Sequence, residues 1–253
     1  MNAWVASLIV FACISGGVLL GIFLRNTLPG HHLNPDTRDV VRLCTGLIGT
    51  IAALVLSLLI ASAKNSFDTH RDQVQQLTAN VIMLDELLAQ YGPEAGAARI
   101  LMQPAIVKLT DRIWRQDASD VDKGSPFEAS SESKALIIKI QDLAPGTDAQ
   151  RNIKSQAMQV TTELAKTRFL LFADSKNSIP MPFLVVLVFW LTIVFASYSL
   201  FAEPNAFVVS FLFIFALSAA GAIFLILDLG QPFVGLIQIS SEPLRNAIAP
   251  VAP

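Results

Sequence analysis

The chain has 253 residues, of which 53% are hydrophobic and 15% charged, and its formal net charge is −2. A positive mean hydropathy with so few charges indicates a membrane protein rather than a soluble globule. The net negative charge also argues against a nucleic-acid partner, because nucleic acid binds basic surfaces.

Four segments are long and apolar enough to span a bilayer, at about 3–24, 43–63, 181–201 and 206–227. The first has no basic region before it and is longer than the apolar core of a signal peptide, so we expect a retained helix. We expect the small residues of this span to pack against a helix of the same subunit. These small residues are Ser15, Gly16, Gly17 and Gly21. Turn-forming dipeptides such as Pro29-Gly30 predict a loop over 25–42.

The second span is predicted to continue as one helix far beyond the membrane. No Pro or Gly interrupts the chain between Gly49 and Gly92. A helix from Gly46 to Tyr91 would be about 68 Å long at ~1.5 Å per residue. Beyond the span, apolar residues recur in steps of three and four, which is the spacing of a helix–helix seam. The seam consists of Phe67, Val74, Leu77, Val81, Leu84 and Leu88, with His70 as its one polar member.

Two partners for this seam remain open at the sequence level. One is the predicted helix at 148–172 of the same chain, and the other is the same stretch of a neighbouring subunit. A helix packed on its own domain and a helix packed in an oligomer have the same pattern of apolar residues.

The second span itself is rich in small residues, which suits close approach to identical helices or a narrow path. In a symmetric oligomer, Arg42 and Lys64 would form cationic rings at the two mouths of such a path. The opposing interpretation is that both are ordinary flanking cations that reach the lipid head groups. The candidate pore-lining residues are Gly46, Gly49, Ala53, Leu56, Ser57 and Ile60.

The central block is predicted to be a bundle of α-helices without strands. Short helices are expected at 94–102 and after Pro104, with the least structured part at 117–133. Further helices are expected at 135–143 and 148–172, the latter begun by a Thr147–Gln150 capping box. The last two spans form a hairpin. After them, apolar residues at 232–239 predict a segment on the membrane surface, and a short helix follows.

The fold class is therefore all-α, with four transmembrane helices in two pairs and a helical bundle inserted between them. The expected divisions are 1–63, 64–179, 180–227 and 228–253: the first pair, the central domain, the second hairpin, and the interfacial segment with its tail. Lys and Arg near the span ends favour a cytoplasmic N-terminus, central domain and C-terminus, although the first loop is also basic.

No catalytic or metal-binding pattern occurs in the chain. It contains no Gly-rich phosphate loop, no HExxH, no GxSxG and no CxxC. Cys13 and Cys44 lie in or beside apolar segments, where they serve as small hydrophobic residues. We expect a protein that is not an enzyme and that has no cofactor or metal.

Three runs resemble a widespread bacterial membrane family described as bestrophin-like: LVLSLLIASAKNSFD at 54–68, LDELLAQYGPEA at 84–95 with Arg99, and LILDLGQPFVGLIQISSEPLR at 225–245. The resemblance implies a multi-pass protein of the cell inner membrane. It also implies homo-oligomers, with a pentamer as the bestrophin arrangement, and an anion path lined by the second transmembrane helix. The chain departs from bestrophins in having no Phe in the second span before Phe67 and no acidic cluster that matches their calcium clasp.

Two hypotheses follow from these observations. The first is a homo-oligomeric channel that passes small anions along an axis formed by the second span, with membrane lipid around it. The second is a non-conducting membrane scaffold or sensor whose cytoplasmic helices bind a partner. A plugged axis would favour the second hypothesis.

Overall fold

A computed structural model of the protein describes residues 2–27, 35–114, 129–174, 181–202 and 205–247. Within these ranges the regular structure is helical, and no strand occurs in them. The elements are α1 (Ala3–Thr27), α2 (Pro35–Tyr91), a 3-10 turn (Pro93–Ala95), α3 (Gly96–Trp114), α4 (Ser131–Gln141), α5 (Asp148–Asp174), α6 (Met181–Phe201), α7 (Ala206–Leu229) and α8 (Glu242–Asn246). Four of these helices, α1, α2, α6 and α7, are long and apolar enough to cross a membrane.

The chain forms two compact units, each with its own apolar core. The span unit comprises Met1–Ser66 and Ser178–Gln231. The central unit comprises Phe67–Asn177 and Pro232–Pro253. Helix α2 contributes its first part to the span unit and its remainder to the central unit, so its predicted continuity is confirmed.

Helix α2 begins earlier than the sequence predicts. It starts at Pro35 and has 57 residues, which corresponds to about 86 Å at ~1.5 Å per residue. The prediction of a loop up to Arg42 is therefore wrong from Pro35 onward. Proline suits the first turn of a helix, because its fixed φ is helical and its missing N–H has no partner there.

In the span unit, α1 packs against α6 and α7. A Cβ atom at Gly17 would lie 2.8 Å from Cγ2 of Thr192, and one at Gly21 would collide with the backbone carbonyl of Ala196. The predicted packing of small residues within the subunit is thus confirmed for these two glycines. At Gly16 nothing lies within 4 Å of the added atom.

The central unit differs from the prediction at Pro104. Two helices were expected to meet there, but α3 runs without interruption from Gly96 to Trp114 with Pro104 inside it. Residues on both sides of the proline, such as Met102 and Ala105, are buried in one core, and this packing offsets the backbone hydrogen bond that proline removes. Most of the stretch predicted to be least structured lies outside the described residues, and its last part belongs to α4.

The predicted capping box at the start of α5 is confirmed. The backbone N–H of Gln150 donates to Oγ1 of Thr147 at 3.1 Å. The side-chain Oε1 of Gln150 accepts from the backbone N–H of Gly146 at 2.9 Å. The first bond satisfies a donor that the first turn of a helix otherwise leaves free, and the second satisfies a donor that precedes the helix.

The segment after the last span does not match the expectation of a surface-lying segment. Phe233 packs against the core of the central unit, and Ile239 and Leu244 are buried in it. Trp114 Nε1 donates to the carbonyl oxygen of Ile239 at 2.7 Å, and the Trp114 and Phe233 rings meet edge-on at 5.3 Å. The segment therefore helps to build the central core, while Leu236 and Ile237 remain exposed.

Candidate functional site

The part of α2 within the span unit has three distinct faces. The first face is buried by the rest of the unit. Its residues recur at steps of seven and four and are only 2–6% exposed: Thr45, Ala52, Leu59 and Ala63. This face fixes the orientation of α2 relative to the other spans.

The second face carries large apolar side chains that the chain leaves uncovered. Their exposed fractions range from 40% to 76%: Leu43, Leu47, Ile51, Leu54 and Leu58. Bulky aliphatic side chains on a spanning helix are the ordinary composition of a surface that contacts lipid.

The third face carries most of the predicted pore-lining residues. Gly46, Ala53, Ser57 and Ile60 are exposed, and Gly49 is half-buried. A Cβ atom added at Gly46 or Gly49 would meet nothing within 4 Å. Among the described residues, no neighbouring atom would prevent a larger side chain at either position.

Hydroxyl groups add little polarity to this third face. Thr50 donates to the carbonyl oxygen of Gly46 at 2.9 Å, and Ser57 donates to that of Ala53 at 2.8 Å. Each hydroxyl group donates its proton to a backbone carbonyl group one helical turn earlier. The middle of the face is therefore almost apolar.

Leu56 differs from the other predicted pore-lining residues. It is half-buried and packs against the core of the span unit. It also lines an apolar cavity together with Phe195 and Phe215. The structure thus places Leu56 at the border between the third face and the buried face.

Arg42 and Lys64, the predicted cationic mouths, are both exposed. Arg42 lines a cleft whose other side is formed by Tyr198 and Phe201 near the end of α6. From the sequence, Arg42 was predicted as a pore mouth, whereas Arg38 was used only as a charge that indicates orientation. Their spacing of four residues was the available signal that they share one face of a helix.

The predicted seam lies in the core of the central unit. Val74, Leu77, Val81, Leu84 and Leu88 are buried there, and Phe67 packs against them. His70 is also buried, with its ring edge-on to that of Phe233 at 5.8 Å. Residues of α5 such as Ala157 and Val160 belong to the same core, so a partner of the seam is present in the same chain.

Metal ligation has no candidate among the described residues. No group of three His, Cys, Asp or Glu side chains in the described ranges lies close enough together to hold an ion. Cys13 and Cys44 are free thiols.

The four apolar helices make this chain a multi-pass membrane protein. A family model described as the Bestrophin-like domain matches residues 12–244, which is nearly the whole chain. The protein therefore belongs to the bestrophin-like family, as the resemblance of its three sequence runs predicted. No curated protein and no solved structure matches the chain.

Proposed function

We propose that the protein is a homo-oligomeric, channel-like membrane protein in which the third face of α2 surrounds a central axis and passes small anions. The observation that carries the proposal is the difference between the two uncovered faces of one helix. Leucines such as Leu54 and Leu58 cover one face, whereas Gly46, Gly49 and Ala53 occupy the other.

Lipid contact alone does not account for this difference. Acyl chains fill a surface of large side chains well, but a stripe of glycine and alanine leaves them fewer atoms to contact. Small residues on a spanning helix instead let identical helices approach one another, or leave room for a path between them. Family membership supports the same arrangement, since bestrophins place their second transmembrane helix around the pore.

Anions are the favoured permeant species because the charges at the ends of the face are positive. Symmetry would repeat Arg42 at one end and Lys64 at the other around the axis. Between them, Ile60 would provide an apolar constriction of the kind that gates by dewetting. We propose no catalytic role, cofactor or nucleic-acid partner.

We also propose a location and an orientation for the protein. We place the protein in the cell inner membrane with its N-terminus, central unit and C-terminus in the cytoplasm. The distribution of Lys and Arg supports this orientation. A pentamer is the arrangement that the family suggests.

A flux assay in liposomes tests the proposal. Purified protein should pass chloride, and Ile60→Ser should raise the flux because it removes an apolar side chain from the constriction. Leu58→Ser is the matched control, because it makes a similar change two residues away on the face with large side chains. Silent liposomes from well-folded protein, or equal effects of both variants, would contradict the proposal.

A second candidate function is that of a non-conducting scaffold or sensor, and one observation supports it. The central unit exposes apolar side chains outside the spans, including Ile82, Met83, Ile100 and Val107. Such residues suit a protein partner as well as a second copy of the chain. This candidate predicts a blocked axis and a function that survives charge reversal at Arg42 and Lys64. Particle symmetry and the radius profile along the axis distinguish the two candidates.

A further inference from the structure

Two cavities of the span unit adjoin each other and share Tyr198 and Ala202. The smaller one, about 150 Å³, lies between the first turns of α2 and the last turn of α6 and is lined by Arg38 and Arg42. The larger one, about 570 Å³, is bounded by α2, α6 and α7. One is cationic and the other apolar, so together they offer complementary surfaces to an amphiphile.

The cationic cleft suits a phosphate group. Arg38, Val41, Arg42 and Thr45 follow a spacing of three, four and seven, which places them on one stripe of α2. Asp39 is not among the residues that line the cleft, because the next position of a helix lies about 100° away. Guanidinium groups bind phosphate oxygens through paired hydrogen bonds.

Hydroxyl groups and a third arginine complete the polar surroundings of the cleft. Thr45, Ser197 and Tyr198 line it with hydroxyl-bearing side chains. A helix C-terminus such as that of α6 ordinarily repels anions through its exposed carbonyl groups. Here Arg25 of α1 donates a hydrogen bond from Nη1 to the carbonyl oxygen of Ala202, so a cation offsets that repulsion at the residue that joins the two cavities.

The apolar cavity suits an acyl chain. Phe195 and Phe215 form part of its wall, and Ala219 and Ala222 give it depth because their side chains are small. Its lining residues on α7 run from Val208 to Ala222, a rise of about 21 Å along the helix. One leaflet of a bilayer core is about 15 Å thick, so the cavity extends as far as an acyl chain does.

We propose that the joined cavities bind one anionic phospholipid per chain, with its phosphate between Arg38 and Arg42 and an acyl chain along α7. Basic pockets between transmembrane helices bind anionic head groups on the cytoplasmic side of membranes. Paired hydrogen bonds from guanidinium groups to phosphate oxygens are equally available in the opposite leaflet, where the proposed orientation puts this cleft. The proposal does not depend on conduction. It also gives a role to Arg38 and Arg42, two positive charges near a span end that the proposed orientation does not explain.

Binding to the full-length protein in detergent tests the proposal, with native mass spectrometry as the readout. Phosphatidylglycerol should bind more tightly than phosphatidylcholine, and raised salt should weaken its binding. Glycerol 3-phosphate and inorganic phosphate are tested in the same way, as water-soluble compounds that carry the phosphate without an acyl chain. Equal binding of the two lipids would overturn the proposal, and so would an affinity for a water-soluble phosphate that matches that for phosphatidylglycerol.

Two sets of variants locate the site, one for the cationic cleft and one for the apolar cavity. Arg38→Gln should weaken phosphatidylglycerol binding about fivefold, and the Arg38→Gln, Arg42→Gln double variant about 30-fold. Arg71→Gln, an exposed arginine further along α2, should leave it unchanged. Ser218→Phe fills the apolar cavity and should reduce binding, whereas Ser210→Phe makes the same change at an exposed position of α7 that does not line the cavity.

The folded state of each variant is checked by its thermal transition, and the single Arg38→Gln variant provides a test if the double variant is unstable. A second copy of the chain is the competing occupant of the apolar cavity. If Ser218→Phe dissociates the oligomer and leaves phosphatidylglycerol binding unchanged, a protein helix fills the cavity and the lipid proposal is wrong.

Discussion

Gln150 at the start of α5 donates a hydrogen bond from Nε2 to the carbonyl oxygen of Tyr91, the last residue of α2, at 3.1 Å. The same side chain accepts from the backbone N–H of Gly146 through its Oε1. One glutamine therefore satisfies a donor that precedes α5 and a carbonyl group that α2 leaves free at its end. The contact fixes the beginning of α5 at the end of the long helix.

Replacing Gln150 should loosen this junction. Gln150→Ala removes two side-chain hydrogen bonds and should lower the free energy of unfolding by about 1–2 kcal/mol. Thermal unfolding in detergent and faster hydrogen exchange near Tyr91 provide the measurement. Gln90→Ala is the control, because Gln90 is an exposed neighbour on α2. Equal shifts for both variants would show that the junction contributes nothing.

The seam of α2 should behave as the core of one chain. Leu77→Ala leaves a void at a fully buried side chain and should destabilise the central unit by about 2–5 kcal/mol. Ile82→Ala changes an exposed position five residues further along α2, and it should destabilise the central unit much less. The loss should not depend on protein concentration, because residues of the same chain fill the seam. A concentration-dependent transition for Leu77→Ala would instead indicate an inter-subunit seam.

Arg99 and Asp85 form a paired ion bridge between α3 and α2. Nε and Nη2 of Arg99 each donate to one carboxylate oxygen of Asp85 at 2.9 Å. The hydrogen bonds that Arg99 donates to Asp85 raise the pKa of the guanidinium above its ordinary value, because they stabilise its charged form. Arg99→Lys keeps the charge but loses the paired geometry, so we expect it to lower the free energy of unfolding by about 1 kcal/mol.

A double-mutant cycle measures that bridge. The losses of unfolding free energy caused by Asp85→Asn and Arg99→Lys should be less than additive in chemical unfolding. The reason is that the second change removes an interaction that the first has already weakened. Strict additivity would mean that the two side chains do not interact in solution. Glu86→Gln is the matched control at an exposed carboxylate next to Asp85.

The glycines of α1 should differ in their tolerance of alanine. Gly21→Ala places a methyl group against the backbone of Ala196 and the hydroxyl of Ser199, and should destabilise the span unit by about 1–3 kcal/mol. Gly16→Ala meets open space and should be neutral or stabilising by up to about 1 kcal/mol, since alanine favours a helix. The thermal transition in detergent compares the two directly. A cost at Gly16 as large as at Gly21 would indicate that another chain packs on Gly16.

Much of the helical framework could be predicted because it depends on local composition. The span at 181–201 was predicted at its observed bounds, and the Thr147–Gln150 capping box was recognised from four residues. The errors occurred where distant packing overrides a local signal. Pro104 reads as a helix boundary, but α3 continues through it because its two halves share one core. Phe233 and Ile239 were predicted to lie in a surface segment. In the structure Ile239 is buried in the central core and hydrogen-bonded to Trp114, and Phe233 packs against the same core.

Hydropathy and the placement of Pro and Gly are enough to predict a helical protein with four helices that can cross a membrane and with an unbroken α2. Which side of each helix is covered depends on the packing of the folded chain. It buried the seam from Val74 to Leu88 within one chain and separated the leucine face of α2 from its glycine face. The physical reason is that an apolar stripe is satisfied equally by any apolar partner, so only the positions of the other helices identify which one it meets.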